Sequence, residues 1–112
     1  DAAHRHSVMA ALEHMRLRLI DRRAIEEQVH YLARHDTLSG ALNRGSLNEV
    51  LALSMQQARA SGEALAVLYI DLDRFKHVND TLGHALGDEV IRGTADRIRS
   101  LVRRGDHFAR LG

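Results

Sequence analysis

One uninterrupted apolar stretch limits what this chain can fold into more than any other feature. Residues Ala64–Ile70 are all apolar and lie between Glu63 and Asp71. The stretch is far shorter than the roughly 20 residues that cross a bilayer, and its length and β-branched content favour a strand that is covered on both faces. The sequence therefore predicts a central strand of an α/β domain.

The residues after this strand predict a crossover connection to a second strand. A short helix over Arg74–Leu82 would end at Gly83, a longer one would cover Asp88–Arg104, and the second strand would begin near His107. The longer helix carries one inner stripe, made of Ile91, Ala95, Ile98 and Val102. Because a strand, a helical excursion and a strand form a crossover unit, we expect the strands to be parallel and the connection right-handed.

A further helix is predicted before the strand. Ser46 and Glu49 have the spacing of a capping box, which predicts a helix that starts there and runs through about Arg59. Ser61-Gly62 would end it. Its expected buried face consists of Leu47, Val50, Leu51, Met55 and Ala58.

The first 34 residues have a different pattern. Residues 2–34 contain neither Gly nor Pro, and Val8, Leu12, Met15 and Leu19 follow one another at spacings of 4, 3 and 4. This spacing is typical of a coiled-coil seam. A second run, Ile25, Val29 and Leu32, is displaced from the first, so the seam slips near Asp21–Ala24. The slip is either a boundary between two packed helices or a point where a dimeric signalling helix shifts register. We expect a helical segment over 1–34 and a second domain over 35–112.

Composition excludes several classes of protein. The chain has no Cys, so disulfide frameworks and thiolate metal sites are excluded and a cytoplasmic setting is expected. Sixteen Lys and Arg residues against fifteen Asp and Glu residues give a net charge of +1, too balanced for binding nucleic acid by charge alone.

Two acids follow the predicted strand directly, in Asp71-Leu72-Asp73. The pleat of a strand sends them to opposite sides, so Asp71 is the better candidate cation ligand, and its hard oxygens favour Mg²⁺ with bound phosphates. Phe75 and Lys76 open a helix whose free backbone N–H groups can hold phosphate oxygens. An amide and a carboxylate, such as Asn79 and Asp88, can together read the edge of a guanine.

These residues resemble a known family. Asp71–Asp88 is similar to the Asp-x-Asp-x-Phe-Lys-x-x-Asn-Asp-x-x-Gly-His-x-x-Gly-Asp signature of GGDEF-domain diguanylate cyclases. His35–Arg44 is similar to that family's upstream motif, which usually has Thr where this chain has Ser39 and Leu where it has Ala41. The helix before it resembles the signalling helices that often precede these domains.

The resemblance implies an α/β (α+β) fold with a palm-like sheet of the nucleotide-cyclase type, flanked by helices. It implies an enzyme that condenses two GTP molecules into cyclic di-GMP and releases pyrophosphate, acting as a homodimer with Mg²⁺ or Mn²⁺. By the same resemblance Asp71 would be the catalytic metal ligand together with the main-chain carbonyl of Leu72. The implied substrate-binding residues are Leu38, Phe75, Lys76, Asn79, Asp88 and Ile91. Arg103 and Asp106 resemble the family's product-inhibition site. The alternative is an ordinary helix end, where cationic side chains such as Arg103 and a glycine such as Gly105 are common.

Gly112 falls where the family's Gly-Gly-Asp-Glu-Phe turn should begin, so the sheet is expected to be truncated at the second strand and these 112 residues to be inactive alone. Two other functions stay open. A degenerate module could bind cyclic di-GMP or GTP without turnover, as a receptor or dimerisation switch. A haloacid-dehalogenase-like phosphatase also uses Asp-x-Asp after a buried strand, but Phe75 stands where that motif normally has Thr or Val.

Overall fold

The computed structural model describes residues 1–112 and contains four helices. They are α1 (Ala2–Arg34), α2 (Arg44–Ser61), α3 (Phe75–Leu82) and α4 (His84–Leu101). The chain divides into two compact units, Asp1–Ala33 and Arg34–Gly112, and each is described by itself. None of the helices is both long enough and apolar enough to traverse a lipid bilayer.

The first unit is a single continuous helix whose residues are all exposed. Both apolar runs lie on its surface, with 55% of Leu12 and 64% of Ile25 accessible. Because the helix does not break between Asp21 and Ala24, the slip in the seam is not a boundary between two helices. Arg22 and Glu26, which fall where the first seam would continue, form an ion pair at 3.5 Å within the helix.

Helix α2 starts two residues before Ser46, so the predicted capping box is wrong. Asn43 is the N-cap, and its side-chain oxygen accepts a hydrogen bond from the Ser46 backbone N–H at 3.0 Å. Ser46 is instead buried inside the first turn. Gly62 ends the helix in the left-handed conformation at φ 74°, as the sequence indicates. Most of the predicted inner face is partly buried, but 41% of Met55 is exposed.

Helices α3 and α4 pack against each other and are joined by Gly83 alone. Helix α4 begins at His84 rather than Asp88, because Gly83, at φ 90° and ψ 160°, lets the chain turn at that point. Its predicted inner stripe is confirmed: Ile91 and Ala95 are buried, while Ile98 and Val102 are partly buried.

The predicted strand over Ala64–Ile70 is not assembled into a sheet in these 112 residues. The segment lies outside every helix and is exposed throughout, with 82% of Tyr69 accessible. A strand exists only where a neighbour accepts and donates its ladder hydrogen bonds, and no described residue does so here. The segment near His107 forms its parallel bridge with Leu42, not with the predicted strand.

Candidate functional site

The acids predicted to bind a metal ion lie at the end of this unpaired segment. Asp71 and Asp73 are exposed, and Leu72 between them is partly buried. No group of three or more His, Cys, Asp or Glu side chains is arranged to hold a metal ion. The Asp71 carboxylate and the backbone carbonyl of Leu72 can act as hard oxygen donors, but the described residues do not complete the coordination shell of a metal ion.

The amino end of α3 follows these donors immediately. Arg74 precedes the helix in the left-handed region at φ 59°, and no side chain caps the helix. The first helical bond runs from the Val78 N–H to the Arg74 carbonyl at 3.1 Å. The N–H groups of residues 75–77 thus have no acceptor in the protein, and Lys76 is exposed beside them. This arrangement suits an anion such as a phosphate.

The structure brings Asn79 next to the start of α4. Its carboxamide lies against Gly87, the residue before Asp88, and has no hydrogen-bond partner in the protein. Asn79 and Asp88 are both partly buried. Ile91, one turn beyond Gly87, is buried on the same face of α4. A free amide, a carboxylate and an apolar side chain therefore occupy the same helix pair, as reading a purine base would require.

Leu38 lies elsewhere in the second unit, on the loop between α1 and α2, and is partly buried. The next residue, Ser39, accepts a hydrogen bond at its carbonyl from Nη2 of Arg99 at 2.9 Å, which attaches this loop to α4. The Arg99 guanidinium also lies 5.4 Å from the centre of the Phe108 ring. The loop that carries Leu38 is thus held to α4 through Arg99.

Arg103 and Asp106 follow the carboxyl end of α4, about 20 Å from Asp88 along the helix. Both are exposed. The Asp106 carboxylate accepts a hydrogen bond from the Arg103 backbone N–H at 3.0 Å, and the Asp106 N–H donates to the Arg103 carbonyl at 3.0 Å. The Arg103 guanidinium has no partner in the protein and is free to contact a ligand.

Sequence reasoning missed a polar cluster centred on Asp36. Its carboxylate accepts hydrogen bonds from the Ser39 hydroxyl at 2.7 Å, the Ser39 N–H at 2.9 Å and Nη1 of Arg110 at 3.3 Å. Partial burial raises the pKa of Asp36, but these hydrogen bonds outweigh it and leave the pKa below its ordinary value of 3.8. The Asp-x-x-Ser spacing is a local signal for such a turn, whereas nothing in the sequence connects Asp36 to Arg110.

Comparison with known proteins gives one consistent result. A family model described as "Diguanylate cyclase, GGDEF domain" matches residues 33–112. "Diguanylate cyclase TpbB" of Pseudomonas aeruginosa is 41% identical over 107 residues, which make up 96% of this chain and 24% of that protein. "Cyclic di-GMP phosphodiesterase NbdA" of the same species is 44% identical over 80 residues, which are 71% of this chain and 10% of that protein.

A solved structure is similar over almost the whole chain. It shows the coiled coil and GGDEF domain of DgcB from Caulobacter crescentus in complex with c-di-GMP, with a TM-score of 0.75 and 30% sequence identity. The likeness covers 95% of this chain and 56% of that one. The matched residues contain the Asp71–Asp88 motif and the α3–α4 pair described above. The chain therefore belongs to the GGDEF-domain diguanylate cyclase family.

Proposed function

We propose that this chain supplies the nucleotide-binding part of a diguanylate cyclase, which condenses two GTP molecules into cyclic di-GMP and releases pyrophosphate. The chain spans only 24% and 10% of the two relatives named above, so the proposal concerns the whole protein that contains it. The observation that carries the proposal is the uncapped amino end of α3, which lies directly after Asp71 and next to the Asn79 amide.

The phosphates of GTP would bind at that helix end. The free N–H groups of residues 75–77 can each donate to a phosphate oxygen, and the partial positive charge of a helix amino terminus favours an anion. Lys76 adds a full positive charge from an exposed side chain. These groups would orient the triphosphate so that its α-phosphorus faces the 3′-hydroxyl of the second GTP.

The donor set after the apolar segment fits Mg²⁺ or Mn²⁺. Such ions take one or two protein carboxylates and complete their coordination with phosphate oxygens and water, which agrees with a single favoured acid, Asp71, and the Leu72 carbonyl. The ion, when bound, supplies positive charge that stabilises the charged phosphate oxygens. Asp71 and Leu72 would hold it, and the α3 amino end would hold the phosphates.

The guanine would be read by the α3–α4 pair. The Asn79 carboxamide and the Asp88 carboxylate supply complementary donors and acceptors, and Leu38 with Ile91 would line the apolar faces of the base. Each domain would bind one GTP. Two copies must then face each other for the reaction, and a dimer formed through α1 would raise their effective concentration.

Calorimetry with 3′-deoxy-GTP and MgCl₂ tests the proposal in the full-length protein, because this analogue binds like GTP but lacks the attacking hydroxyl. Asp71→Ala should weaken its binding at least about ten-fold, since a charge-assisted contact to the metal–phosphate unit is lost. Asp21→Ala, which removes an exposed acid in α1, is the matched control and should leave the affinity unchanged. Equal affinity in all three proteins would refute the assignment of Asp71.

A second function is a receptor that binds cyclic di-GMP or GTP without turnover. One observation favours it: a relative that shares this segment is named as a phosphodiesterase rather than a cyclase. Incubating the full-length protein with GTP and MgCl₂ separates the two functions. A cyclic dinucleotide and pyrophosphate indicate a cyclase, whereas nucleotide binding with no product indicates a receptor. The match over residues 33–112 gives no support to a phosphatase of the haloacid-dehalogenase type.

A further inference from the structure

Helix α4 contains a buried glycine close to its start. Gly87 is the fourth residue of the helix and is the only buried residue there before Ile91. Glycine is the poorest helix former apart from proline, because it loses the most backbone freedom on folding. A glycine at a buried helical position therefore needs a packing reason.

The packing reason is the closeness of α3. A Cβ atom added at Gly87 would overlap Oδ1 of Asn79, would lie 2.9 Å from its Cγ, and would lie 3.4 Å from Cζ of Phe75. Both contacts belong to one face of α3, since Phe75 and Asn79 are four residues apart. Gly93, in the same helix, is different, because a Cβ there would meet nothing within 4 Å.

We propose that Gly87 is a positioning residue for guanine recognition: the absence of its Cβ leaves the space that fixes the orientation of the Asn79 carboxamide. This inference rests on the proposed function of Asn79. No protein group donates to the carboxamide or accepts from it, so the backbone of Gly87 and the surrounding packing set its orientation. A methyl group at position 87 would turn the amide away from the base while leaving the phosphate-binding end of α3 chemically intact.

The test is a double-mutant cycle in the full-length protein, read by calorimetry with 3′-deoxy-GTP and 3′-deoxy-ATP in MgCl₂. Gly87→Ala should weaken 3′-deoxy-GTP binding about ten-fold, the value of one well-placed hydrogen bond, and should lower the preference for guanine over adenine. In an Asn79→Ala background the same change should have less than about a two-fold further effect, because residues that act as a unit are not additive.

Gly93→Ala is the matched control. It adds the same methyl group to the same helix at a position where a Cβ meets no atom within 4 Å. It should therefore leave the affinity for both nucleotides unchanged. Three results would overturn the inference: equal weakening for the two nucleotides, the same weakening in the Asn79→Ala background, or an equal effect from Gly93→Ala. Absence of 3′-deoxy-GTP binding to the unmodified protein is a different result, since it removes the proposed function and this inference with it.

One measurement needs neither a variant nor a nucleotide. In the unmodified protein, nuclear Overhauser effects should connect the Cζ proton of Phe75 with the α protons of Gly87, because a Cβ at Gly87 would lie only 3.4 Å from Cζ of Phe75. Their absence would overturn the inference. If Gly87→Ala alone fails to fold, folding of the Asn79→Ala/Gly87→Ala double variant would support the contact, because the overlapping carboxamide is gone; a double variant that stays unfolded would count against it.

Discussion

At the scale of single residues, one carboxylate connects segments that are far apart in the sequence. Asp36 binds Ser39 within its own loop and Arg110, which lies 74 positions later. The side chains of Asp36 and Arg110 are 23% and 29% exposed, so the ion pair between them is better shielded from water than the pairs on α1. Partly desolvated, hydrogen-bonded pairs contribute more to stability than exposed ones.

Replacing Asp36 should therefore change both the stability and its pH dependence. Asp36→Asn should lower the unfolding free energy by about 1–2 kcal/mol at neutral pH, because the charge that Arg110 contacts is lost. The folded pKa of Asp36 lies below its ordinary value of 3.8, so its contribution is fully present above that pH and is lost as the pH falls through the folded value. Urea unfolding at several pH values measures both effects.

Asp21→Asn is the control for this experiment, since Asp21 is an exposed acid in α1. The Asp36→Asn protein should lose less stability than the unmodified protein on acidification below pH 3.8. Parallel curves of stability against pH for the Asp36→Asn and unmodified proteins would contradict the stabilising role of the Asp36 carboxylate.

The Arg103 guanidinium allows another prediction at this scale. Arg103→Ala should weaken cyclic di-GMP binding about ten-fold, because it removes a guanidinium group that can donate two hydrogen bonds to a phosphate or a guanine. Arg104→Ala removes the same charge from the neighbouring exposed position and serves as the matched control. Calorimetry with cyclic di-GMP compares the two variants, and an equal loss in both would point to general charge rather than a site at Arg103.

At the scale of elements, the caps decided where the helices begin. Asn43→Ala should destabilise the second unit by about 1 kcal/mol, because the Ser46 N–H loses its acceptor. Asn48→Ala changes an exposed residue inside the same helix and should have a much smaller effect. Chemical unfolding monitored by circular dichroism provides the measurement. A larger loss from Asn48→Ala would show that Asn43 is not the effective cap.

The same caps explain how much of the fold was predictable. Periodicity predicted the inner stripe of α4, because its buried residues recur at helical spacing. The starting points of α2 and α4 were missed since the sequence offers several residues that can cap, and only the structure shows that Asn43 and Gly83 do so. The left-handed conformation of Arg74 had no sequence signal, because arginine rarely adopts it.

At the scale of the whole molecule, the apolar stripe on α1 predicts self-association. Leu12→Asp should raise the dissociation constant of a homodimer by about a hundred-fold or more, because a seam side chain becomes charged in each copy. Leu17→Asp is the matched control, since Leu17 is similarly exposed but lies on the other side of the helix. Analytical ultracentrifugation of the full-length protein measures both. A protein that is monomeric before any substitution would contradict the dimer.

The candidate site was predictable to the extent that it is continuous in sequence. Asp71, the α3 amino end and Asn79 follow one another within nine residues, so their order alone indicates a cation next to an anion site. The contact between Gly87 and Asn79 and the ion pair of Asp36 with Arg110 depend on how helices and loops pack, which periodicity does not specify.

The exposed segment Ala64–Ile70 also affects how these 112 residues behave in concentrated solution when they are prepared alone. It is uncharged, free of proline and rich in residues that form cross-β assemblies, so two copies whose segments are uncovered at the same time can nucleate a fibril. Glu63 and Asp71 flank it, and their like charges oppose in-register stacking. Replacing both acids by their amides, Glu63→Gln with Asp71→Asn, removes that repulsion and should promote thioflavin-positive aggregates.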